Sequence, residues 1–355
     1  MHKAVILLML LPIPATKKDY MKSFCIVFTI LMTTSQGFSQ ERMPIIDMHM
    51  HALAANHQGP PPVAICSPFD QFPAWDPAQP YGEFWLDILK NPPCSDPIWS
   101  PKTDSELMDQ SLEIMKKHNV IGVLSGTPDR VKTWMDAAPD RFYAGLGFQL
   151  GPNSYSPDSL RALHTSGQLN VLAEITNQYI GIDPSDERMQ PYWKLAEELD
   201  IPVGIHIGTG PPGVIYLGAT GYRARLHSPL TIEEMLVKHP KLRVYIMHAG
   251  YPMLDDMLAV MYTHPQVYVE LGVIIYTQPK KAFDRYLKTM VDAGFGTRIM
   301  FGSDQMVWPE AIERSIETIN RASFLSEKQK RDILYNNAAR FLRLSNAEIS
   351  RHNNM

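Results

Sequence analysis

Asp47, His49 and His51 stand at alternate positions in the run Ile45-Ile46-Asp47-Met48-His49-Met50-His51. On a strand, alternate side chains share a face, so the two imidazoles lie one pleat apart and converge on one point. Such a pair is suited to chelating a divalent cation, and Asp47, of the same parity, could hold it in orientation. Four further residues of metal-binding type end apolar runs later in the chain. They are Glu174 in Val-Leu-Ala-Glu-Ile-Thr, His206 in Pro-Val-Gly-Ile-His, His248 in Val-Tyr-Ile-Met-His-Ala-Gly and Asp304 in Ile-Met-Phe-Gly-Ser-Asp. Singly, a strand-end histidine is often only a hydrogen-bonding group, and a strand-end aspartate only a helix cap. Their recurrence at one kind of position favours a shared metal site.

Such a site needs elements that bring strand ends together. Strand-like runs fall at 45–51, 120–125, 142–148, 171–176, 203–207, 242–248, 267–273 and 298–302. Between and after them lie helical stretches at 104–118, 128–138, 157–166, 186–199, 229–239, 253–263, 279–293 and 309–321. Thr103-x-x-Glu106 is a capping-box signature for the first of these. Eight β–α units predict an α/β fold, a (β/α)8 TIM barrel with its active face at the C-terminal strand ends. An open doubly wound sheet is the competing topology. It calls for a glycine-rich phosphate loop after the first strand, where this chain has His-Met-His. A last helix at 327–344 is expected beneath the barrel, which spans 41–345, and 346–355 reads as a tail.

Residues 52–101 interrupt this alternation with prolines and aromatics, among them Phe69, Phe72, Trp75, Tyr81 and Trp85. The segment leaves from the active face, where long insertions commonly act as lids. It also contains Cys66 and Cys94, which could form a disulfide clamping the loop.

The 355 residues are 45% apolar and 20% charged, with a formal net charge of −4, as in a soluble globular enzyme. A mildly acidic body without a basic stripe excludes a nucleic acid as the expected partner. Lys22 followed by the apolar run 24–32 and the small-residue stretch Gly37-Phe38-Ser39 reads as a secretory signal peptide starting at Met21. Residues 1–40 are therefore expected to be removed on export to the periplasm or beyond. The apolar run is too short to span a bilayer, so no stable membrane anchor is expected.

Asp47-Met-His-Met-His51, Gly204-Ile-His206, Met247-His248-Ala-Gly250, Phe301-Gly-Ser-Asp304 and Asn337-Ala-Ala-Arg-Phe341 together resemble the amidohydrolase superfamily. Within it, the amidohydrolase-related branch, like aminocarboxymuconate-semialdehyde decarboxylase, is the most similar. The resemblance implies one divalent ion, Zn²⁺ by preference, on His49, His51, His206 and Asp304. It makes His248 an acid–base or oxyanion-stabilising group and Asp304 the proton acceptor. Glu174 is an additional ligand in this scheme if it bridges to a second ion, which His248 would then also bind. The implied reaction is hydrolysis of an amide, lactone or ester carbonyl of a small molecule by metal-activated water. Nonoxidative decarboxylation of an unsaturated or aromatic acid is the alternative. A catalytically silent ligand-binding barrel is the third reading. On the substrate side, Arg223 and Arg225 could clamp a carboxylate, and Tyr276, Gln305 and Trp308 follow strands at the right end of the barrel. Barrels of this kind often form homodimers.

Overall fold

The computed structural model describes residues 43–152 and 154–355. The expected leader, with Cys25, lies outside the described residues. The strands in chain order are β1 (Ile45–Ala52), β2 (Ala64–Cys66), β3 (Pro97–Trp99), β4 (Val120–Gly126), β5 (Phe142–Ala144) and β6 (Leu172–Ile175). β7 (Val203–His206), β8 (Val244–Met247), β9 (Tyr268–Glu270) and β10 (Ile299–Met300) complete the set. β2 and β3 form a separate antiparallel hairpin. The other eight are parallel, in two arcs ordered β1-β4-β5 and β10-β9-β8-β7-β6. Bridges Gly145–Val171 and Phe148–Ile175 join β5 to β6. On the other side, Met48 N–H donates to Phe301 O at 2.9 Å and Asp304 N–H to His49 O at 2.8 Å. These contacts join the arcs into the eight-stranded TIM barrel the sequence predicts. The strands from β5 to β10 are all shorter than expected; β5 stops at Ala144, β9 at Glu270, and β10 is only Ile299–Met300.

The apolar runs divide between two cores. Ile45, Val203, Ile205, Val244, Ile246, Ile299 and Phe301 face outward, into the layer shared with the helices. Ile46, Met48, Val123, Ala173, Tyr245, Met247 and Met300 fill the barrel interior and form its floor. Burying both faces of each strand is why these runs read as continuously apolar. The helix expected at 327–344 runs from Glu327 through a wider turn to Phe341 and closes the floor with Tyr335, Ala338 and Phe341. The residues expected to be a tail are instead a helix, Asn346–Asn353, opened by a capping box of Ser345 and Glu348. His352 on it is fully buried between Tyr143 and Tyr335, which is why the segment is ordered.

The insertion after β1 is tied down at several points. Cys66 and Cys94 are disulfide-bonded, 28 residues apart. Trp308 Nε1–H donates to Val63 O at 3.1 Å, and Phe69 N–H to Thr277 O at 2.9 Å. The Tyr81 hydroxyl donates to Pro212 O in the loop after β7. Ala64, Ile65, Cys66, Ile88 and Leu89 are buried beneath it.

Candidate metal centre

Three backbone devices bring the candidate ligands together above the floor. The first is plain alternation: Gly204 and His206 on β7 share the interior face, so His206 rises from the wall. The second is the bulge. Pairing of β1 with β4 slips between Asp47 and Met50. Ile46 and Met48 join the floor, yet His49 and His51, out of step with them, also reach the interior. Pairing of β6 with β7 slips in the same way between Leu172 and Ile175, so Ala173 and Glu174 both face inward. The third is left-handed backbone: φ is +60° at His248 and +49° at Asp304. Non-glycine residues adopt this region at a cost, and such positions cluster at functional sites.

Among the described residues the ligand-type atoms fall into three overlapping triads, of which His49, His248 and Glu270 form the most deeply buried. His49, His51 and Asp304 make another, and Glu174, His206 and His248 the third. His49 Nε2 lies 2.9 Å from His51 Nε2, and Asp304 Oδ1 lies 3.1 Å from His51 Nε2. In the third triad, His206 Nδ1 is 2.5 Å from Glu174 Oε1 and 3.0 Å from His248 Nε2. Glu174 faces the latter two: Oε1 toward His206 and His248, and Oε2 at 3.7 Å from His49 and 3.8 Å from His51. All four expected ligands, His49, His51, His206 and Asp304, lie in this cluster, with Glu174 between them. His206 groups with Glu174 and His248, because β7 and β8 are neighbours across the ring from β1.

Glu270, at the end of β9, is the residue sequence reasoning missed. It is fully buried. Its Oε1 lies 3.1 Å from His49 Nδ1 and accepts from His248 N–H at 2.8 Å, while Oε2 accepts from Gly272 N–H at 2.5 Å. A carboxylate on the far nitrogen fixes the His49 tautomer and leaves Nε2 directed into the site. His248 is set in the same way by Gly272 O, 2.9 Å from its Nδ1. Gly302 makes room for this carboxylate, since a Cβ there would lie 1.9 Å from Glu270 Oε2. A clue was legible: an acidic residue inside the apolar run 267–273 is rarely fully buried unless paired.

Asp47 does not share the histidines' face, because the bulge shifts it. Its Oδ1 accepts from His49 N–H at 3.0 Å and Ser303 N–H at 2.9 Å, tying β1 to the loop after β10. Burial pushes its carboxyl up to about 7, with the Ser303 and His49 hydrogen bonds opposing.

The electrostatics suit a cation. Burial opposes a charge on His49, but Asp304 and Glu270 outweigh it and hold its pKa well above the usual histidine range. Burial likewise opposes ionisation of Glu174, and His206 outweighs it, leaving that carboxyl well below the usual range. Asp304 is also depressed, burial being overcome by His49 and His51. Its Oδ1 is close to His51 but not aligned for a hydrogen bond, so that buried oxygen has no hydrogen-bond partner. Converging imidazole nitrogens, ionised carboxylates and an unpartnered oxygen fit a divalent metal.

The centre lies at one end of a cavity of about 800 Å³. His51, Glu174, His206, His248 and Asp304 line it, together with Tyr179, whose hydroxyl is 3.3 Å from His206 Nε2. Among the substrate-side expectations, Trp308 lines the cavity. The others do not. Arg223 and Arg225 are exposed, and the Arg223 guanidinium donates to Thr220 O and Tyr222 O. Tyr276 is buried behind Asp304, donating to its carbonyl at 3.0 Å. Gln305 is occupied by His51, accepting from its N–H at 3.0 Å and donating to its carbonyl at 2.6 Å. These two hold Asp304 and His51 in place. His227 is fully buried beside His206, with ring centroids 5.3 Å apart.

The profile of the amidohydrolase family matches residues 46–344. The chain belongs to that family. No curated protein matches it. Solved structures give the fold. An uncharacterised TIM-barrel protein of Bordetella bronchiseptica superposes with a TM-score of 0.52 at 16% identity, covering 86% of this chain and 99% of its own. A probable 2-pyrone-4,6-dicarboxylic acid hydrolase of Acinetobacter baumannii, with citric acid bound, gives 0.53 at 13% identity, covering 85% and 100%. A 2,6-dihydroxybenzoate decarboxylase in complex with 2,6-dihydroxybenzoate gives 0.51 at 15%, covering 85% and 100%. Amidohydrolase relatives on this fold thus include both hydrolases and decarboxylases.

Proposed function

We propose that this amidohydrolase hydrolyses the carbonyl of a small amide, lactone or ester. Asp304 carries the reading: a buried, ionised carboxylate on the cavity wall whose Oδ1 has no hydrogen-bond partner. Such an oxygen is placed to accept the proton of an attacking water. His49, His51 and Asp304 would hold one divalent ion, and Glu174, His206 and His248 a second. Zn²⁺ is the choice that imidazole-rich donors favour. A metal so held would supply Lewis-acid polarisation and a more acidic water. The protein's own groups do the rest. Glu270 and Gly272 O fix the imidazoles, and Gln305 and Asp47 fix the strand ends that carry them. The Tyr179 hydroxyl lines the cavity and can donate to the substrate oxygen.

Decarboxylation requires a substrate carboxylate, and among the described residues no lysine or arginine lines the cavity to receive one. Export is part of the same proposal; it is supported by the Cys66–Cys94 bridge, a form that persists in oxidising compartments.

The test is metal analysis of the protein purified from residue 41 onward, followed by product analysis on amides, lactones and esters. About two ions per chain and products heavier by one water are expected. One ion would leave Glu174, His206 and His248 as acid–base groups. Release of CO₂ from acids would establish the decarboxylase. No metal uptake after reconstitution with Zn²⁺ would leave a ligand-binding barrel.

A further inference from the structure

The metal centre takes up one end of the cavity, and the remaining wall has a different character. Ile65, Phe69, Phe72 and Trp85 enter it from the insertion, facing Ile274 and Trp308 from the loops after β9 and β10. Phe69 and Phe72 stack with ring centroids 5.0 Å apart and planes 27° from parallel. The shelf is held in place, because Phe69 N–H is bonded to Thr277 O and Trp308 Nε1–H to Val63 O. Glu174 and Asp304 are the lining carboxylates, and both belong to the metal centre. Among the described residues no lysine or arginine reaches the wall, and the Arg223 guanidinium is held outside by two backbone carbonyls.

We propose that the substrate, beyond its reacting group, is uncharged and carries an aryl or branched alkyl group seated on the Phe69–Phe72 shelf. The inference rests on the hydrolase reading only for the identity of the reacting group. A carboxylate on the shelf would lose its hydration with no cation to replace it, whereas an apolar group would exchange water for ring contacts. A cavity of about 800 Å³ has room for such a group beside the reacting carbonyl.

The experiment uses paired aryl amides that differ only in a para-methyl or para-carboxylate group. Binding to the metal-loaded protein is measured by calorimetry, and turnover is scored separately. The methyl member is expected to bind at least about tenfold more tightly, the penalty of an unpaired charge at a partly open wall. Equal or tighter binding of the carboxylate member overturns the proposal, and so does failure of every neutral member to bind. Phe72 is 43% exposed at the mouth, so Phe72→Arg can be made without opening the core. That variant is expected to shift the preference toward the carboxylate by about tenfold. An unchanged preference overturns the shelf as the seat. Neutral ligands that bind without turnover remove the hydrolase reading and leave this one standing. Turnover confined to carboxylated amides does the reverse.

Discussion

The floor and the rim of this barrel obey different rules. Along the floor, strands alternate regularly, and Ile46, Met48, Tyr245, Met247 and Met300 pack against Phe341 and Ala338 from the closing helix. At the rim, two strands bulge, His248, Ala249, Val273, Asp304 and Met306 adopt positive φ, and Asp47, Glu270 and Asp304 are buried as acidic groups. The floor gains stability by removing apolar surface from water. The rim gives some of it back to bring His49, His51, Glu174, His206, His248 and Asp304 together. Local rule-breaking is therefore concentrated where the chemistry is, over a base that makes it tolerable.

Mutations should separate the two regions. Asp304→Asn, at the rim, is expected to lower turnover about 10²–10⁴-fold while the protein unfolds at an unchanged denaturant midpoint. Its activity and urea curve are read together, and a large midpoint shift would make Asp304 a structural group. Phe341→Ala is the opposite case. Phe341 packs edge-on against Tyr245 and tilted on Tyr268 beneath the floor. Its loss should cost about 3–5 kcal/mol of stability with metal content per chain unchanged.

Glu270→Gln tests the link between the regions, since Glu270 sits below the ligands without lining the cavity. Metal affinity is expected to fall about 10–100-fold, measured by competition with a chelating dye. Full retention of affinity would mean that His49 needs no carboxylate behind it. The smallest effect should come from the closing end of the barrel. Burial lowers His352 from 6.5 to about 4 in the folded protein. Its neutral form is the one the fold favours, so this contribution is complete above the unfolded pKa of 6.5. It is lost as pH falls through 6.5 toward about 4, as the unfolded chain takes up the proton first. Denaturation midpoints at pH 7.5, above that range, and at pH 5, within it, should differ less in His352→Gln than in the parent.

Much of this was legible beforehand, for identifiable reasons. Eight buried parallel strands leave eight apolar runs, and residues of metal-binding type end them; His49, His51, His206, His248, Asp304 and Glu174 were picked out this way, and the structure brings them together. Substrate contacts were harder to read. Tyr276 and Gln305 follow barrel strands closely, and Arg223 and Arg225 sit in the long loop after β7, yet none lines the cavity, because sequence gives a residue's distance from a strand end and not its direction. The disulfide was readable as two cysteines in one irregular segment, and the structure joins them.

By itself the sequence determined the barrel, a set of residues of metal-binding type and the side of the barrel they occupy, since residue type and spacing along a strand are local properties. Only the tertiary structure decided that the candidate ligands cluster around Glu174, that Asp47 leaves their face, and that Glu270 stands behind them. Those outcomes depend on bulges in β1 and β6 and on the curvature that brings β9 against β1's histidine. A slip of one residue reverses which face a side chain takes, and nothing in a linear pattern marks where that slip occurs.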